Sequence, residues 1–427
     1  MNMTVTVCIP AYQAEDFIIE TVSSVLGQTH ADLKLVIAID PPADGSPDKT
    51  IGVLSRFIED ERVTVHQNAH RLGWAENCNS LLRFVDTEYF IFLPHDDVWA
   101  PDYLEVLLMA LHATPEAVVA YTDTVRFSAS PPVRVSMTMT PNASRGRHLL
   151  DFLIQGAEAQ IWRGLTRTST LTVTGGFPTD KHKGFVVECE YALALYLAGP
   201  VLHVPRVLYF KRIYEREVVS ASRERVMAPI SERRQAWQVH KQRMQAMLER
   251  AVEEFPLSEQ LAQGYRAALL AAMLRRYQQF VESVLQPEQL EGIEQALVKV
   301  DVIDMPLCNM IQANIHLILQ KHYLALEQNE KGRQHAAIAW QLEPNSAEAQ
   351  LERARYLYHD GRYHESIGWA MESARLSHLK DSRAAENLVN HIYQRLGWND
   401  TAIDDMKKKT IKSWCRRILA RCRRSLQ

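Results

Sequence analysis

Short apolar runs separated by helical stripes dominate the first half of the chain. Residues 5–9, 35–39, 63–67, 89–93 and 118–121 have the length and composition of buried strands. Between the first two, Ile18, Thr21, Val22, Val25 and Leu26 recur at helical spacing. After the fourth, Pro101 suits a first helical turn, and Leu104, Leu107, Leu108 and Leu111 form the next stripe. Strands alternating with helices up to about residue 215 predict an α/β domain with a largely parallel sheet. Ligands of such sheets bind beyond the carboxyl ends of the strands. The polar residues there are Pro10-Ala11-Tyr12, Asp40, the 68–71 segment ending at Arg71, and His95-Asp96-Asp97.

Beyond about residue 225 the strand pattern stops, and residues 232–254 and 258–284 read as long helices. A weak repeat follows. Pro344 precedes Ala354 and Gly361, and the segment opening at Gly361 is echoed from Gly397. The offset of Pro344 from Gly361 fits the 34-residue period of tetratricopeptide helix pairs, while the two glycines lie two residues too far apart. The reading is two or three degenerate repeats, with an irregular helical bundle as the alternative. Expected boundaries are 1–222 for the α/β domain, 223–328 for a helical linker or bundle, 329–406 for the repeats and 407–427 for a basic tail helix.

Composition narrows the class. Of 427 residues, 47% are hydrophobic and 23% charged, the balance of a folded chain, and the net charge of −3 gives no global field for nucleic acid. No apolar run reaches the roughly 20 residues of a membrane span, and residues 3–9 alternate like a strand instead of forming a signal peptide. Six scattered cysteines suggest reduced thiols, no structural zinc and a cytoplasmic location. Nine positive charges and no acid crowd into 407–427, where Ile411, Trp414, Cys415, Ile418, Leu419 and Cys422 fall on one helical face. That pattern suits the anionic inner face of a membrane, or a helix packed on the repeats with its charges exposed.

A buried strand that delivers Asp96 and Asp97 at its carboxyl end, just before Pro101, offers hard oxygen ligands for Mg²⁺ or Mn²⁺. The same pair, taken alone, also reads as helix capping. No Gly-x-Gly-x-x-Gly or Walker sequence occurs, so a dinucleotide or ATPase-type site is not indicated.

In fixed order the chain carries Pro10-Ala11-Tyr12, a helix ending in Ser-Val-Leu-Gly-Gln-Thr29, His95-Asp96-Asp97-Val-Trp-Ala-Pro101 and Gly175-Gly176-Phe177. Through these motifs residues 3–215 resemble glycosyltransferase family 2, the inverting nucleotide-sugar transferases of the GT-A fold, a Rossmann-like α/β architecture. The resemblance implies that Pro10, Ala11, Tyr12 and Asp40 hold the nucleobase and that Arg71 reaches the diphosphate. It places Asp96 on ribose or metal and Asp97 on the metal. The catalytic base falls on Glu188 at the start of a helix, with Glu190 as the alternative. Three departures stand out: Asp40-Pro-Pro-Ala-Asp44 carries an insertion that leaves Asp40 and Asp44 as rivals, Pro94 replaces a further aspartate, and Val187 replaces a glutamate.

The implied activity is metal-dependent transfer from a nucleotide diphosphate sugar, UDP-linked, to a glycan, lipid-linked or protein acceptor in surface polysaccharide or glycoconjugate synthesis. The repeats would serve a protein partner or self-association. The competing reading is a non-catalytic relic acting as a helical scaffold. Weaker candidates are Trp162 and Arg167 for the acceptor, Lys211 and Arg212 for phosphate, and His95 and His182 for acid–base work.

Overall fold

The structure, a computed structural model, describes residues 3–42, 45–46, 48–127, 133–135, 145–154, 159–179, 186–213, 229–254, 259–281, 294, 306–344, 346–376 and 382–395. The chain divides into two compact units, Met1–Ile303 and Asp304–Gln427.

In the first unit, β1 (Val5–Ala11), β2 (Leu33–Ile39), β3 (Val63–Gln67) and β4 (Tyr89–Phe92) run parallel in the order β3-β2-β1-β4. The connections are α1 (Ile18–Leu26), α2 (Thr50–Leu54) and α3 (Trp74–Leu82). Both faces of the sheet are covered. Val5, Val7 and Ile9 pack with Ile18, Val22, Val25, Leu104 and Leu107, while α3 lies against β1 and β2. Such two-sided burial is why these strands are nearly continuous apolar runs. Strand order reverses between β1 and β4, so the crevice at their carboxyl ends is the natural ligand position.

Past β4 the sheet is mixed. It continues through β8 (Leu165–Arg167), β6 (Val119–Phe127), β9 (Val201–Arg212) and β5 (Val98–Trp99), with β7 (Val133–Val135) hairpinned on β6. β8 is antiparallel to both β4 and β6, and β5 is antiparallel to β9, whereas β6 and β9 are parallel. The antiparallel members span two or three residues and carry too little pattern to be legible in the sequence. Helices α4 (Tyr103–Ala113), α5 (Arg145–Ile154), α6 (Leu171–Thr174) and α7 (Val187–Ala198) complete the domain, and α8 (Ile230–Glu254) and α9 (Glu259–Phe280) follow.

The Gly-Gln-Thr ending of α1 has a structural task. Gln28 donates from Nε2 to the Ser24 and Ala100 carbonyls at 3.0 and 2.7 Å, and its Oε1 accepts from Leu104 N–H at 3.0 Å. It thus caps α4 from a distance, where Asp102 makes no side-chain cap of its own. A cap of this kind contributes about 1 kcal/mol. Thr29 N–H donates to the Pro101 carbonyl at 2.8 Å, and Thr21 Oγ1 donates to the His95 carbonyl at 2.8 Å. Helix α1 is therefore the template on which the loop carrying Asp96 and Asp97 is laid.

The second unit contains α10 (Pro306–Ala325), α11 (Asn329–Leu342), α12 (Ala347–His359), α13 (Tyr363–Leu376) and α14 (Ser382–Arg395). Helices α11 and α13 begin 34 residues apart, the tetratricopeptide period. The turns before them match as well: Glu327 (φ 59°) and Gly361 (φ 76°) both take left-handed backbone. Small residues let α12 and α13 approach closely, with Ser366 and Ser373 donating to the Ala354 and Ala347 carbonyls, each at 2.6 Å. The partner of Gly361 in the repeat is thus Glu327, which no glycine pattern could reveal. Gly397 and the basic tail lie outside the described residues.

Candidate active site

Three strand ends converge. At β1, Pro10, Ala11 and Tyr12 are followed by Gln13 with φ 45°, a left-handed conformation uncommon outside glycine. His95, after β4, donates from Nδ1 to the Pro10 carbonyl at 3.2 Å and so ties the ends of β1 and β4 together. Arg71 lies with its guanidinium 4.3 Å from the centre of the Tyr12 ring. This cation–π stack brings the expected nucleobase and diphosphate residues to one place.

Asp40 follows β2 directly and is buried. Its Oδ1 accepts from Asn68 Nδ2 at 2.8 Å and its Oδ2 from Gly73 N–H at 2.8 Å. Burial pushes its carboxyl above the usual range, opposed by those hydrogen bonds and by Arg71. Asn68 also donates to Asn77 Oδ1 at 3.0 Å, and Asn77 donates to the Ala38 carbonyl at 3.0 Å. These contacts hold the loop bearing Arg71 against the ends of β1 and β2. Asp44 and His182 lie outside the described residues.

Asp97 is only 1% exposed. Its Oδ2 accepts from Tyr209 Oη at 2.6 Å, and its Oδ1 from Arg212 N–H at 2.9 Å. Arg163 Nε stands 3.7 Å from Oδ2. Burial, reinforced by the charge of Asp96, pushes the Asp97 carboxyl up to about 6. Asp96 is half-buried, and its carbonyl accepts from Arg212 Nε at 3.0 Å. Asp97 is buried and Asp96 only half-buried, so Asp96 is the more exposed carboxylate of the pair.

A cationic group that the sequence barely signalled surrounds this pair. Lys211 is brought down to about 8, first by the charge of Arg163 and then by burial, with Arg126 adding to the effect. Arg163 stacks over Trp162 at 4.2 Å, and among the described residues its buried Nε has no hydrogen-bond acceptor. Lys211 and Arg212 belong to β9 itself, and pairing of β9 with β5 carries them to the aspartates. Arg163 sits in a single short helical turn, residues Ala159–Arg163, too short to show periodicity.

The floor is aromatic. Phe177 meets Trp74, Phe92, Trp162 and Tyr191, with ring centres 4.5 to 5.7 Å apart. Trp162 is buried in this cluster. Asn79 clamps the Gly-Gly-Phe turn, accepting from Phe177 N–H and donating to its carbonyl, each at 2.8 Å. A Cβ on Gly176 would come within 2.2 Å of Asn79 Oδ1, which explains the glycine there.

Helix α7 opens after Val186, whose φ of 55° is strained for a β-branched residue. Glu188 in its first turn is half-buried. It shares a helix face with Tyr191, which contacts Phe177, which in turn contacts Phe92 at the end of β4. Glu190 is held differently: it is buried, with Oε1 accepting from His240 Nδ1 at 2.7 Å and Oε2 3.5 Å from Arg243. Of the two candidate bases, Glu188 is the one with solvent access.

Arg167 does not join the site. It pairs with Tyr89, at the amino end of β4, and donates to the Ala117 and Leu111 carbonyls and to Glu88. The cause is the antiparallel direction of β8, which carries its last residue away from the carboxyl ends.

A divalent cation is implied by the acidic pair. Among the described residues no cluster of three or more His, Cys, Asp or Glu could hold a metal. The donor set nevertheless fits Mg²⁺ or Mn²⁺, which commonly take one or two carboxylates and complete their shell with phosphate oxygens and water.

Residues 6–167 match the profile of Glycosyl transferase family 2. Over these residues the amino-terminal domain is similar to that family. Similar proteins include the putative teichuronic acid biosynthesis glycosyltransferase TuaG of Bacillus subtilis, 36% identical over 102 residues, 24% of this chain and 39% of that protein. Another is the Escherichia coli UDP-Glc:alpha-D-GlcNAc-diphosphoundecaprenol beta-1,3-glucosyltransferase WfgD, 30% identical over 102 residues, 24% of this chain and 38% of that protein. The chain thus spans under two fifths of the length of these curated relatives. Residues 1–349 of S. aureus TarS, in complex with UDP-GlcNAc, superpose with a TM-score of 0.53 at 16% identity, covering 84% of this chain and 92% of that one. That likeness shows a shared fold.

Proposed function

We propose that this chain is an inverting glycosyltransferase that moves a sugar from a UDP-linked donor to a glycan, lipid-linked or protein acceptor in surface polysaccharide or glycoconjugate synthesis. The observation that carries the reading is the convergence of Tyr12–Arg71, Asp40 and Asp96–Asp97 at the β1/β4 crevice, with Glu188 on α7 across the aromatic floor. A relic acting only as a scaffold would have no need of this constellation. Relatives named for UDP-glucose transfer and teichuronic acid synthesis support the substrate class.

In this reading Pro10, Ala11, Tyr12 and Asp40 frame the nucleobase, and Arg71 turns from the Tyr12 ring towards the diphosphate. Asp96 and Asp97 would hold Mn²⁺ or Mg²⁺, which when bound neutralises charge gathering on the departing diphosphate. Arg163 and Lys211 add fixed positive charge beside the same pair. Glu188 takes the proton of the acceptor hydroxyl as its oxygen attacks the anomeric carbon from the face opposite the diphosphate. One displacement inverts the configuration. Buried Trp162 lines the acceptor side through the aromatic floor.

Incubation with UDP-glucose, UDP-N-acetylglucosamine and related donors in Mn²⁺ tests the reading, and failure of every donor to bind or turn over defeats it. Arg71→Ala should weaken UDP binding about tenfold in calorimetry, since a cation–π stack and a phosphate contact are lost together. Unchanged affinity would remove Arg71 from the site.

No helix among the described residues is long and apolar enough to cross a membrane. Through its sequence pattern, the 407–427 tail would attach the enzyme peripherally to anionic lipid near its acceptor, while the helical repeats would bind a protein partner or a second copy. Co-sedimentation with phosphatidylglycerol vesicles should be lost on removing the tail. Retention without it would contradict the attachment.

A further inference from the structure

The geometry points to His240 on α8 as a positioning residue for Glu188, acting through the buried Glu190–His240 hydrogen bond; the inference rests on the assignment of Glu188 as base. Glu190 and His240 are each 1% exposed, and His240 Nδ1 stands 2.7 Å from Glu190 Oε1. A carboxylate only accepts, so the ring donates from Nδ1. Among the described residues His240 Nε2 is buried without a hydrogen-bond partner, and Glu190 Oε2 has Arg243 at 3.5 Å. A buried polar contact with such loose ends is costly for stability alone, since an apolar pair of similar shape would pack without that penalty.

Its placement explains what it does. Residues two apart on an α-helix project about 200° from one another. Fixing Glu190 against α8 therefore sets the rotation of α7 and turns Glu188 to the opposite side. The amino end of α7 needs such a brace. It starts from the strained Val186. His240 is itself steadied by Trp237, with ring centres 5.3 Å apart, and Trp237 by Tyr277 of α9 at 5.5 Å. Helices α8 and α9 lie beyond residue 167, where the family 2 match ends. The helical segment after the transferase sheet is thus part of the catalytic apparatus.

The test compares His240→Ala, His240→Gln, Glu190→Gln and Glu188→Gln in the full-length chain, using UDP-glucose and UDP-N-acetylglucosamine with Mn²⁺. His240→Ala is expected to lower kcat ten- to a hundredfold while donor KM and UDP affinity stay within twofold. His240→Gln, which can donate to Glu190 again, should recover part of the loss. A fall in Tm with unchanged kcat would reduce the pair to a structural contact and overturn the proposal, as would a loss of UDP affinity equal to the loss of rate. Glu188→Gln separates the two levels: if it is inactive while His240→Ala turns over normally, only the positioning role fails. If Glu188→Gln turns over normally, the base assignment fails instead. Amide exchange provides a reading independent of turnover. His240→Ala must speed exchange at residues 187–190 and leave β1 as in the wild type, and unchanged protection of α7 would overturn the brace.

Discussion

Glu188→Gln should lower sugar transfer by about a hundred- to ten-thousand-fold with donor binding retained. Glutamine keeps the size and the hydrogen-bonding reach of the side chain but cannot take a proton, so only the general-base contribution is removed. Its neighbours should tolerate the change, because Glu188 is half-buried while the network that orders α7 runs through Glu190. Glu190→Gln should behave differently, with a smaller loss of rate, since Glu190 is sealed against His240 and has no route to an acceptor. Rates of donor consumption beside UDP titrations distinguish these outcomes. Equal losses in the two variants would contradict the division of labour.

Asp97→Ala carries the largest expected effect on stability, about 3–5 kcal/mol, the range for removing one member of a buried charged pair. Tyr209 Oη and Arg212 N–H both lose their acceptor, and Arg163 loses a carboxylate 3.7 Å away. Because Tyr209 and Arg212 bring β9 to the β4–β5 loop, the variant should also lose the shape of the acidic pair and with it metal-dependent transfer. Urea denaturation measures the first effect. A change below 1 kcal/mol would mean that the Tyr209 and Arg212 contacts do not lock Asp97 in place. Asp96→Ala, by contrast, should leave the denaturation midpoint close to wild type while impairing turnover, since Asp96 is the more open of the two.

Much of this site follows from local pattern. Residues 5–9 and 89–93 are apolar enough to be read as buried strands, and the rule that ligands gather at parallel carboxyl ends then singles out Tyr12, Asp40 and Asp96–Asp97. What local pattern misses is long-range pairing. The partners of Asp97 come from β9, 112 and 115 positions away, and only the β5–β9 pairing brings them there. Arg167 shows the same gap in reverse: three residues of β8 do not announce an antiparallel direction, so a residue close in sequence to Trp162 ends beside the amino end of β4, away from the site. Gln28 belongs to the recognisable Gly-Gln-Thr ending of α1, yet its role as a distant cap for α4 is visible only in three dimensions. In the repeats, Glu327 takes a left-handed conformation that composition would assign to glycine.

The central claim is a single inverting displacement at the crevice closed by Glu188. Methanol as a surrogate acceptor, with α-linked UDP-sugars and Mn²⁺, gives a methyl glycoside that does not mutarotate, and its anomeric proton can be followed by NMR. The account predicts the β-anomer from the wild type and little product from Glu188→Gln. Formation of the α-anomer, or of the β-anomer at equal rate by both proteins, would contradict it.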